Sequence, residues 1–169
     1  MLVLLLVVLS AAGVALWADD AEQASLDERF TVETRHNSFA NATYFGAVKV
    51  RGRRIDVDLD SLRVSAYKPA LWNELEVRAV LRGPDRAHVD TTRYQRLPTD
   101  STIETSEDGT VVINELPRMT LRVPRGTAVA DHRIVLEIST MRSALGGGRS
   151  WNPALLDSLL LRRAVIGNP

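Results

Sequence analysis

Hydrophobic and polar positions divide this chain into two regimes. From Met1 to Ala18 no side chain is charged, and Leu2 to Leu9 is an unbroken apolar run. Coiled as a helix rising 1.5 Å per residue, that segment would be about 27 Å long, close to the roughly 30 Å of a bilayer's hydrocarbon core. The pattern predicts a single membrane-spanning anchor built on Leu2, Leu5 and Leu9. Trp17, next to Asp19-Asp20, would mark its outer boundary, where an indole keeps its ring in hydrocarbon and its N–H among headgroups. The competing reading is a cleaved secretory signal, for which Ser10-Ala11-Ala12 and Gly13-Val14-Ala15 offer small-residue sites. A basic stretch before the apolar run is missing, which favours the retained anchor. With so short a stub ahead of it, the bulk of the chain is expected on the periplasmic or extracellular side.

The second regime is period two. Residues 19–29 are polar and acidic and read as a linker, so the folded domain is expected over 30–169. Within it Val48 and Val50, then Ile55, Val57 and Leu59, alternate with charged residues, as half-buried strands do. A two-residue turn at Gly52-Arg53 would set Val50 opposite Ile55, Val48 opposite Val57, Gly46 opposite Leu59 and Lys49 opposite Asp56. Apolar side chains then share one face and opposite charges the other, and Gly52 supplies the positive φ of a type II′ turn. A second hairpin over Ser101 to Asn114, turning at Ser106-Glu107-Asp108-Gly109, would align Ile103 with Ile113 and Thr105 with Val111. Alternating runs recur at Glu74 to Leu81, Arg118 to Val123 and Arg133 to Thr140, about seven or more strands in all, with prolines 69, 84, 98, 117 and 124 between them. The expected fold is all-β: an antiparallel β-sandwich of immunoglobulin-like type, with a small barrel as the alternative.

Past the triple glycine 146–148, Asn152 and Pro153 form a plausible helix cap and first position. Leu155, Leu156, Leu159 and Leu160 with Ala164 would then make one apolar stripe, predicting a short C-terminal helix over 153–166, with a last strand over 159–165 as the alternative. This stripe closes the domain's own core or, through Leu156 and Leu160, docks on a partner.

Composition narrows the chemistry. Basic and acidic residues balance at 21 each, which removes the net positive field that nucleic-acid binding begins from. The chain has no cysteine, and with it go disulfides, thiolate nucleophiles and cysteine-bound metals. Arginine outnumbers lysine heavily, a skew that fits codon bias. Asp56, Asp58 and Asp60 superficially suggest a calcium loop. Val57 and Leu59 between them look like core positions, and the turn glycine and distal glutamate of such a loop are missing, so a solvent-facing strand edge is expected. His36, His88 and His132 lack local zinc spacing, and no Gly-x-Ser-x-Gly elbow occurs. We therefore expect no catalytic, cofactor or metal residues. The triple glycine lacks the lysine and hydroxyl residue of a phosphate loop, and Asn41-Ala42-Thr43 is a short acceptor pattern for glycosylation that arises often by chance. Arg51, Arg53 and Arg54 surround the first hairpin turn, where they form either a solvated tip or a contact for lipid phosphates or an acidic partner.

Two roles fit these constraints. One is a non-enzymatic single-pass accessory subunit of a larger membrane complex, such as an electron-transfer or light-harvesting assembly, partnered by the membrane and the other subunits. The other is a free-standing tethered or secreted binding domain for a small molecule, a peptide or a surface polymer.

Overall fold

A computed structural model of the chain describes residues 24–34, 41–65, 74–93, 95–97, 104–105, 110–114, 116, 118–141 and 151–166. The anchor residues Leu2, Leu5, Leu9 and Trp17, the triple glycine and His36 lie outside them. No helix among the described residues is long and apolar enough to cross a membrane.

The described residues form eleven strands in two antiparallel sheets. In the first sheet β1 (Ser25–Glu33), β2 (Asn41–Arg51) and β3 (Arg54–Ser65) are successive neighbours. The free side of β3 is shared by β9 (Met119–Arg122) along residues 54–57 and β8 (Val111–Ile113) along residues 62–64, with β7 (Glu104–Thr105) beyond β8. The second sheet runs β11 (Trp151–Leu155), β10 (Arg133–Met141), β4 (Glu74–Arg82), and the far side of β4 is shared by β5 (His88–Thr91) and β6 (Gln95–Leu97). A helix α1 (Leu160–Ile166) is the last element among the described residues.

Alternation decides which residues meet. Val48, Val50, Ile55, Val57, Leu62 and Val64 from the first sheet merge with Leu75, Val77, Leu81, Ile134, Leu136 and Ile138 from the second in one buried cluster. This two-sheet all-β arrangement fits a β-sandwich. Removing a side chain such as Leu136, fully buried, typically costs about 2–5 kcal/mol.

The first hairpin has the expected register, Val50 with Ile55, Lys49 with Asp56, Val48 with Val57 and Gly46 with Leu59, and Gly52 carries φ 57°. In the second hairpin Thr105 pairs with Val111, while Ile103 and its turn lie outside the described residues. The runs at Glu74, Met119 and Arg133 are the strands β4, β9 and β10. One irregularity was not foreseen: β3 carries an extra residue opposite Phe45 and Gly46. The backbones close in there, and a Cβ on Gly46 would stand 2.3 Å from the Asp58 carbonyl oxygen.

Three expectations need correction. The linker is shorter than 19–29, because β1 begins at Ser25 and Ala24 is already buried. Glu28 obscures the alternation of Leu26, Phe30 and Val32, and it is accommodated because Arg163 reaches across to it with a two-pronged bond of 2.6 and 3.0 Å. The helix expected from 153 begins instead at Leu160, and Asn152 and Pro153 belong to β11. Pro153 is tolerated because β11 is an edge strand, whose outer side needs no donor. Asp157 takes the capping role, accepting the Leu159 N–H at 2.9 Å; that bond, with Arg163, holds its carboxyl below the usual range. Finally, the stripe does not lie on one element: Leu155 ends β11, Leu156 and Leu159 lie in the connection, and Leu160 begins α1. Leu156 and Leu160 are buried with Leu161 and Ala164 in the chain's own core, which removes them as partner contacts, whereas Leu155 and Leu159 are 49% and 51% exposed.

Candidate functional site

Asp56 does not line a strand edge, since β3 is paired on both sides there, whereas Asp58 and Asp60 fall between the stretches of β3 that β9 and β8 pair. Each aspartate has its own arginine: Arg54 grips Asp56 at 2.9 and 3.0 Å, Arg118 pairs with Asp58, and Arg29 reaches Asp60 at 2.6 Å. Burial would raise the Asp56 carboxyl, but hydrogen bonds from Thr120 and Arg54, with the charges of Arg54 and Arg118, outweigh it and hold the group below the ordinary carboxylate range. The row is an ion-pair ladder on the outward face of the first sheet. His132 is buried and its Nδ1 lies 2.8 Å from the Ala128 carbonyl, while His88 is exposed in β5. Among the described residues no group of three or more His, Cys, Asp or Glu could hold a metal ion.

The arginine tip is partly tied into the fold. Arg53 donates to the Pro124 carbonyl and Arg54 is committed to Asp56, which leaves Arg51 as the exposed guanidinium of the three without such a bond. The tip has company that linear reading missed. Arg54 pairs in register with Arg122, and the turn after Pro124 brings exposed Arg125 alongside.

The outward face of the second sheet is unusual. Alternation puts Glu76, Arg78, Val80 and Arg82 of β4 and Arg133, Val135, Glu137 and Ser139 of β10 on the side away from the core. Yet Glu76, Val80, Val135, Glu137 and Ser139 are all buried. The register places Glu137 opposite Arg78. Its carboxylate, 4% exposed, accepts from Arg78 at 2.7–2.8 Å and from Arg82 at 3.1 Å. Arg78 in turn lies 3.9 Å over the ring of Trp151, a stacked cation held by both charge and quadrupole. The negative charge of Glu137 also adds, after burial itself, to pushing the Tyr44 phenol well above its usual range.

At one end of this face a cleft of about 520 Å³ opens between β10, β11 and the β4–β5 turn, and Arg82, Arg86 and Arg133 line it. None of these residues stood out in the sequence. The only signal was the recurrence of charges at every second position of two strands, and its meaning depends on knowing that β4 and β10 are neighbours.

No family model matches this chain, and no curated protein matches it.

Proposed function

We propose that this protein is a non-enzymatic, single-pass accessory subunit of a larger membrane assembly, with an immunoglobulin-like domain on the periplasmic or extracellular side. Strand order supports the architectural part. Reading β2 and β3 as A and B, β4 as C, β5 and β6 together as C′, β7 as D, β8 and β9 together as E, and β10 and β11 as F and G, the sheets run A-B-E-D and G-F-C-C′. Those are the immunoglobulin-like pairings, with β1 added outside strand A.

The observation that carries the functional part is the shortness of the tether. With Ala24 buried and β1 beginning at Ser25, only residues 19–23 separate the apolar run from the domain. At roughly 3.3–3.6 Å per residue they reach at most about 17 Å. Such a tether keeps the domain against the membrane surface, within touch of whatever surrounds the anchor. Ser25 pairs with Arg51, and the Ala24 carbonyl accepts the Gly52 N–H at 2.7 Å. The chain therefore enters the domain beside the arginine tip, and on this reading Arg51, Arg53 and Arg122 would face the membrane, where phosphates or acidic loops of neighbours would meet them.

Copurification in mild detergent tests the proposal. A stoichiometric complex, pigment- or haem-bearing in the electron-transfer or light-harvesting case, is the expected result. A lone monomer would favour the second reading, a free-standing binding domain, for which the arginine-lined cleft speaks.

A further inference from the structure

We infer that the cleft beside the β4–β5 turn binds a small amphipathic oxyanion, a carboxylate or phosphate head carrying a short apolar group. This inference rests on the cleft alone and is independent of the membrane assignment. Its volume of about 520 Å³ lies within the range of small-molecule sites.

The charge balance favours an anion. Arg82, Arg86 and Arg133 face a single carboxylate, Glu33, across the opening. Arg82 is held by Glu137 through one terminal nitrogen and its Nε is sealed from solvent, so it contributes charge more than free donors. Arg86 and Arg133 make no ion pair with any described residue and supply the free guanidiniums. A guanidinium fork is the donor geometry that matches carboxylate and phosphate oxygens. The opposite side of the cleft is apolar: Val135, Pro153 and the half-exposed Leu155. A head among the arginines would leave its substituent against those three.

Backbone strain singles out the same place. Arg86 has φ 64°, the one positive value among the described non-glycine residues. Its N–H donates to the Gly83 carbonyl, and the Gly83 N–H donates to the Ala87 carbonyl, both at 3.0 Å. This is a type I turn closed by a left-handed residue, the position that glycine normally fills in such hairpins. An arginine is kept there against its backbone preference, and its side chain lines the cleft. Strain of this kind collects at ligand sites because function selects the side chain.

The test uses the full chain in neutral maltoside micelles. Butyl phosphate and butyrate are titrated at constant ionic strength, with inorganic phosphate and acetate as head-only probes and the melting temperature as the readout. A saturable rise is expected for the butyl compounds, reached at several-fold lower concentration than for the head-only anions. In Arg133→Gln and Arg86→Gly the required concentration should increase about tenfold, and Arg86→Gly should start from an equal or higher melting temperature. Arg82 is left in place because its loss would strand Glu137. Repeating the titration in phosphatidylcholine nanodiscs, with and without phosphatidylglycerol, distinguishes the source: competition by the anionic lipid identifies a headgroup, and its absence a free solute. No saturable rise, or a rise unchanged in both variants, overturns the inference.

Discussion

The outward faces of the two sheets carry the same chemistry in opposite surroundings. On the first, Arg29 and Asp60 meet at 2.6 Å with side chains 77% and 48% exposed. On the second, Arg78 and Glu137 meet at 2.7 Å with the glutamate almost sealed from water. Distance alone would rank the pairs together. Solvent ranks them far apart, because water screens the exposed charges and leaves them stable when separated, whereas the buried carboxylate depends wholly on its two arginines.

The largest effect should come from breaking the sealed pair. Glu137→Ala leaves two guanidiniums without their counterion and is expected to cost about 3–5 kcal/mol in urea denaturation. A loss below about 1 kcal/mol would mean that water reaches this face.

Replacing the whole cluster should behave differently from breaking it. The triple variant Arg78→Met, Glu137→Leu, Arg82→Met removes both the attraction and the desolvation cost, so most of the Glu137→Ala loss should be recovered, by roughly 1–4 kcal/mol. A triple variant as unstable as the single would show that the charges hold the strands in register.

On the first face Asp56 is the member nearest to the buried case. Its folded carboxyl sits below the usual range, so its stabilising contribution is complete above the unfolded pKa, near 3.9, and is lost as pH falls through the lower folded value. Asp56→Asn should therefore cost about 1–2 kcal/mol at neutral pH and flatten the acid limb of stability measured from pH 5 to pH 2. A parallel limb would assign the acid sensitivity to other groups.

The smallest effect belongs to the exposed pair. Arg29→Ala is expected to change stability by less than about 1 kcal/mol, and 1 M salt should erase even that. A larger, salt-resistant loss would place Arg29 in a contact beyond this chain.

Much of the fold was legible because strand pairing between neighbours in sequence is a local problem. Val48, Val50, Ile55 and Val57 admit one register around Gly52 that keeps apolar residues on one face, since a slip of one residue would invert every side chain. The candidate site was less legible. Arg78 and Glu137 are 59 positions apart, and neither carries a mark in its own strand beyond alternation. The C-terminal leucines misled for a related reason: their spacing suits a helix, but Leu155 ends an edge strand with its side chain half exposed, Leu156 just past it is buried, and Leu160 begins the next element.

Sequence alone therefore determined the all-β character, the first hairpin's register and the uncharged run from Met1 to Ala18, each set by the order of neighbouring side chains and the geometry of one element. Only the tertiary structure decided which outward face is sealed, that Glu137 falls between Arg78 and Arg82, and that Arg86 joins Arg82 and Arg133 around a cleft. Those outcomes depend on which distant strands become neighbours, and burial, which sets what a charge is worth, belongs to the assembled sheets rather than to any one of them.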